Sequence, residues 1–137
     1  MDKKKLLIQI VLLMFFIFIL DRIGSHFYWY YTIWWFDMLM HFLGGLWVGL
    51  FFIYVFVRKN LSLDVSKKQI INIILQVFLM SVVWEIFEFK VNNIIGQRPF
   101  SILDTTSDLL FDLSGAFLAV SYFVNRTMST LKSKVQL

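Results

Sequence analysis

Among its 137 residues the chain has no cysteine. That excludes disulfides, thiolate metal ligands and a cysteine nucleophile, and it leaves redox compartment open, since a thiol-free chain fits any. Charge is also scarce. Asp, Glu, Lys and Arg together make up 16% of residues, where soluble domains carry about 25%. There is no Gly-rich phosphate loop, no internal repeat, no low-complexity stretch, no nucleophile elbow and no H-E-x-x-H pair, so the familiar local signatures of nucleotide binding, serine hydrolysis and zinc proteolysis are missing.

What is abundant is apolar surface. Hydrophobic residues reach 59% and aromatics 19%, with a mean hydropathy of +0.74. A small soluble core cannot use that much, so the composition points to an all-α integral membrane protein. Apolar runs fall at 6–20, 36–57, 70–89 and 109–124, and a span needs about 20 mainly apolar residues. The expected spans are therefore about 6–23, 36–57, 70–89 and 105–124, in one four-span domain covering 1–137. The first is short unless Lys5 and Arg22 snorkel toward the headgroups. Its basic start, Lys3 to Lys5, also fits a signal peptide, but "LDRIGSHF" offers only Gly24 and Ser25 as small residues, so an uncleaved span is the better reading.

The basic residues sort by side. Lys3, Lys4, Lys5, Arg58, Lys59, Lys67, Lys68, Arg126, Lys132 and Lys134 fall on one, and only Arg22, Lys90 and Arg98 on the other. Positive charge stays in the cytoplasm, which places both termini inside a cell (plasma or inner) membrane. The net charge of +4 is then topology plus attraction to anionic lipid, not a nucleic-acid footprint. The stretch "HFYWYYTIWWF" matches the aromatic belt of the outer interface.

The acids sort the other way. Asp2 and Asp64 are cytoplasmic, whereas Asp21, Asp37, Glu85, Glu88, Asp104, Asp108 and Asp112 lie near the outer span ends, with His41 at the same level. Their spacing is helical: Asp37 and His41 are i, i+4; Glu85 and Glu88 are i, i+3, flanked by Ser81 and Asn92; Asp104, Asp108 and Asp112 step by four. Gly44 and Val48 continue the first face and Gly115 and Ala119 the last, with Gly45-x3-Gly49 alongside. Small residues are what helix contact in lipid prefers, so the acids should point into the bundle. Carboxylates facing one another need protons, a metal or cationic partners such as His41, Lys90, Arg98 or Arg22.

Each residue also has a plainer role. Asp104 fits a helix cap or first-turn acid. Glu88 could pair with Lys90, and His41 could be a hydrogen-bonded core histidine. As a set, intramembrane ionisable residues point to a functional site. The expected ligand or metal candidates are Asp37, His41, Glu85, Glu88, Asp104, Asp108 and Asp112, with Arg98 in "GQRPF" as a contact for a phosphate headgroup. Oxygen donors with one imidazole suit Mg, Mn, Ca, Zn or non-haem Fe. E-x2-E is not the E-x2-H of di-iron bundles. Trp34, Trp35 and Trp84 read as interface anchors.

The motifs "FDMLMHFLGG", "WEIFEF" and "DTTSDLLFDLSGAF", read as D-x3-H-F, E-x2-E and D-T-x2-D-x6-G-A in that order, resemble the VanZ-like membrane proteins, most closely the YjdF-like inner-membrane branch. The resemblance covers about residues 36–120 and implies the four-span layout. It marks Asp37, His41, Glu85, Glu88, Asp104 and Asp108 as signature positions, with Gly44, Gly115 and Ala116 at its small ones. Glu88 and Asp112 are more acidic than the Gln and Asn of the broader group, and the resemblance implies no particular reaction. Three functions are compatible with these residues. The pocket could bind a cation or a cationic or lipid-linked ligand. The protein could be part of an ion- or proton-coupled transporter, which at four spans would need a homo-oligomer, with Asn72 and Gln76 as its polar route. It could also be a membrane scaffold.

Overall fold

Each apolar run forms one helix, because inside lipid every backbone amide and carbonyl must be paired within the segment that carries it. The structure is a computed structural model and describes residues 3–59, 66–95 and 101–135, with side chains through residue 127. The helices are α1 (Lys3–His26), α2 (Trp29–Thr32), α3 (Phe36–Lys59), α4 (Lys67–Ile95) and α5 (Ile102–Val135). All but α2 are long and apolar enough to cross a membrane. The shortest two, at 24 residues, reach about 36 Å at roughly 1.5 Å per residue, more than the ~30 Å hydrocarbon layer.

The helices run past the apolar spans at both ends, since a span ends where hydrophobicity does and a helix ends where its caps are. α5 starts at Ile102 because the Ser101 hydroxyl accepts the Asp104 amide proton at 3.3 Å. Asp104 therefore occupies the first turn and stays exposed, where the helix dipole favours an acid.

α3 and α5 form the closest pair, and glycine permits it. A Cβ on Gly45 would fall on the backbone of Asp112, and one on Gly115 on the Phe42 carbonyl and, at 2.5 Å, the Leu46 amide. A Cβ on Gly49 would lie 2.9 Å from the Ala119 Cβ. α4 packs against both, while α1 packs on α3. Away from α2 the core is apolar, with Leu6, Ile10, Ile53, Val57, Ile73 and Phe123 all buried. The Trp47 indole donates to the Ile10 carbonyl at 3.0 Å and ties α1 to α3.

At the other end the aromatic stretch folds into α2. Tyr28 enters it at φ 59°, a left-handed conformation uncommon for a bulky residue. Phe36 is 1% exposed; it meets the rings of Trp29 and Tyr30 edge-on at 5.4 and 4.8 Å and lies against Gly24 of α1, where a Cβ would strike its ring. The Tyr30 hydroxyl donates to Asp21 Oδ1 at 2.9 Å. Burial, with this acceptor, pushes the Tyr30 hydroxyl well above its ordinary titration range. Trp34 is 81% exposed, as an interface anchor should be.

Candidate functional site

The glycines that bring α3 and α5 together also set the chemistry above them. With Gly45 against Asp112 and Gly115 against Phe42, His41 is seated one turn away between two acids of α5. His41 Nδ1 lies 3.3 Å from Asp112 Oδ2, and Nε2 lies 3.9 Å from Asp108 Oδ2. The three residues are among the most buried polar ones described, at 7%, 4% and 6% exposure for His41, Asp108 and Asp112. In the tautomer whose Nδ1–H donates to Asp112, Nε2 is left as the acceptor on the Asp108 side, the arrangement by which a carboxylate fixes an imidazole for metal binding.

α4 completes the cluster. Its stripe of Ser81, Glu85, Glu88 and Asn92 is buried or half-buried, and of these Glu85 reaches His41 and Asp108. Ser81 is buried and satisfies itself by donating to the Val77 carbonyl at 3.1 Å. Glu85, half-buried beside Thr105, brings a carboxylate oxygen within 4.8 Å of donor atoms of both His41 and Asp108. Asp108 Oδ1 and Glu85 Oε1 are buried with no hydrogen-bond partner. A buried acceptor left unpaired costs about 1–3 kcal/mol, and more if charged, so two in one cluster call for an ion or a proton between them.

Beside the cluster lies a cavity of about 910 Å³ between α1 and α4, floored by α3. His41 and Asp112 belong to both cluster and cavity, whereas Asp37, Gly44, Glu88 and Asn92 line the cavity alone. Of the sequence-derived candidates, His41, Glu85, Asp108 and Asp112 come together; Asp37 and Glu88 face the cavity next to them; exposed Asp104 stands at the rim, one turn before Asp108. Arg98 lies outside the described residues. Arg22 is no partner for the cluster: it pairs with its neighbour Asp21, Nε to Oδ2 at 2.9 Å, and Lys90 is exposed on α4. Trp84 also lines the cavity, a role beyond that of an anchor. Sequence reasoning missed the α1 wall, Met14, Ile17 and Phe18. No pattern could reveal it, since a residue facing a cavity in lipid is as apolar as one facing lipid. Thr105 was within reach as the neighbour of Asp104 in the D-T motif, but nothing in the spacing ties it to Glu85.

No solved structure matches the chain. A Thermotoga maritima protein, described as an uncharacterized protein, is 27% identical over 103 residues, which are 74% of this chain and 54% of that protein. The chain thus spans about half the length of the curated relative it matches. The family model described as "Predicted membrane protein (DUF2238)" matches residues 3–128, nearly the whole described structure, so the chain belongs to the DUF2238 family of membrane proteins.

Proposed function

We propose that this multi-pass membrane protein binds a divalent cation of the transition series through His41, Glu85 and Asp108, with Asp112 orienting the imidazole. The observation that carries this is the pair of buried, unpartnered oxygens, Asp108 Oδ1 and Glu85 Oε1, in a cluster that also holds an oriented histidine. Two ligands on opposite sides of an ion at ~2.1 Å lie about 4.2 Å apart. Donor atoms within 4.8 Å of one another need only small rotamer changes to close on one. One imidazole and two carboxylates favour Zn, Mn or Fe(II) over the all-oxygen shells of Ca and Mg. Three protein donors leave positions where the cation could polarise an oxygen of a bound molecule.

The excess of basic residues at the opposite end supports a site on the non-cytoplasmic side of the cell membrane. The VanZ-like resemblance fits as well, since five of its six signature residues, Asp37, His41, Glu85, Glu88 and Asp108, belong to the cluster or the cavity wall. A transport route has less support: Asn72 is exposed, and beyond the site the bundle is filled by Leu50, Ile53 and Val57.

The distances also favour a second reading, a structural clasp in which protonated His41 bridges Asp108 and Asp112 and ties α3 to α5. Metal content of the detergent-purified protein, measured by mass spectrometry after resupply with Zn, Mn, Fe(II), Mg and Ca, separates the two. One equivalent of cation in the native chain, absent from a folded Glu85→Gln variant, supports the metal site. Metal in neither protein sinks it and leaves the clasp.

A further inference from the structure

The cavity has two chemically different ends. Toward α2 it is acidic, with Asp37, Glu88 and Asp112 on its walls; deeper it is lined by Met14, Ile17, Phe18, Val48 and Met80. Among the described residues, α1 and α4 both pack on α3 but not on each other, so the cleft between them is bounded by helix on three sides only. Phe18 and Met80 are 60% and 48% exposed while also lining it. The apolar wall therefore runs without a break onto the bundle's lipid-facing surface. Its volume of about 910 Å³ is at the upper end of the ~300–1,000 Å³ typical of small-ligand pockets.

We infer that this cleft takes a cationic amphiphile, its single hydrocarbon chain along Ile17, Phe18, Val48 and Met80 and its ammonium group at Glu88 and Asp112. Charge decides the headgroup. Asp21 also lines the cavity but is held by Arg22 and Tyr30; Asp112 gives Oδ2 to His41 but has Oδ1 toward cavity-lining Gly44, and with Glu88 on the facing wall a phosphate brought there would meet like charge. Trp84 lines the same wall, and indole is the ring that attracts a cation most strongly. The chain enters sideways from the membrane, where an amphiphile already lies with its headgroup at the level of α2. This inference stands on the cavity and does not require the metal.

The test uses the full chain in dodecyl maltoside, with dodecylammonium and dodecyl phosphate as probes of equal chain length. Binding is followed by calorimetry, and bound metal is measured in every sample. Dodecylammonium should bind with one site per chain, at least roughly tenfold tighter than the phosphate. At Gly44 an added Cβ would have only Asp112 Oδ1 nearby, at 3.8 Å, so Gly44→Phe grows into the cleft and should abolish that site. Met80→Trp fills it from the opposite wall if Gly44→Phe does not fold. Glu88→Gln should weaken dodecylammonium by roughly tenfold and leave metal content unchanged. Equal binding of the two probes, preference for the phosphate, or undiminished binding in both filled variants would overturn the inference. Loss of metal alone, with amphiphile binding intact, would count against the metal site and not against the cleft.

Discussion

The two ends of the bundle are built from the same helices by opposite means. Away from α2, Ile53, Val57, Ile73 and Phe123 pack into one apolar core. At the α2 end the same helices carry buried acids, an imidazole and an open cleft, and at least two oxygens lack partners. Lipid gives no hydrophobic reward for bringing helices together, so association rests on close packing. The packed end can therefore hold the helices in register while the polar end keeps groups that packing alone would never select. Gly45 and Gly115 sit at the boundary, serving the packing below and the placement of His41 above.

The strongest way to break this comparison is at that boundary. Gly45→Leu forces side-chain atoms onto the Asp112 backbone. It should cost about 1–3 kcal/mol or more, lower the detergent melting temperature, and remove bound metal as well. If stability and metal content separate in this variant, the two ends are independent after all.

At the polar end alone, Asp108→Asn and His41→Ala should abolish stoichiometric metal. Chelation of the native protein should lower its melting temperature, with about 2.7 kcal/mol lost if the cation had been present at 100 times its Kd. Metal content and thermal melting, read together, check this; melting unmoved by chelator would count against a bound cation. Asp112→Asn keeps a hydrogen-bond acceptor for the imidazole but removes the carboxylate that orients it. Metal affinity should fall by about 10–100-fold without vanishing, as measured by competition with a chelating dye.

Smaller effects sharpen the contrast. Tyr30→Phe removes the bond to Asp21 and should cost about 1 kcal/mol. The sign of its pH dependence follows from burial. A phenol raised above its unfolded value contributes in full below pH ~10 and loses that contribution as pH rises toward the folded value. The stability gap between native and Tyr30→Phe protein should thus stay level to about pH 10 and shrink above it. A gap that closes below that range would mean the hydroxyl is not buried as described. Least of all, Asp104→Asn, exposed in the first turn of α5, should shift stability by no more than about 0.5 kcal/mol and leave metal content unchanged.

Much of this was legible before folding. A period of 3.6 and four apolar runs dictate four helices, and i, i+4 spacing puts Asp37 with His41 and Asp108 with Asp112. The Ser81–Asn92 stripe reads the same way. Cap chemistry was less legible, since Asp104 fits a cap as well as a first-turn acid, and only the hydrogen bond from its amide to Ser101 Oγ decides between them. The fold of the aromatic stretch into α2, with Tyr28 in a left-handed conformation, leaves no periodic signal at all.

By itself, then, the sequence determined the helices, the level of the acids along them, and the small residues that would bring helices close, because all three depend on neighbours within a turn or two of the chain. Only the tertiary structure decided which acids come together and which face a cleft. That depends on the rotation of each helix about its own axis and on which helices touch. Glu85 and Glu88 are one turn apart on α4, yet one joins His41 and Asp108 and the other lines the cavity. The difference arises from the close contact of α3 with α5 and the gap left between α1 and α4, neither of which is written in the local pattern of any one helix.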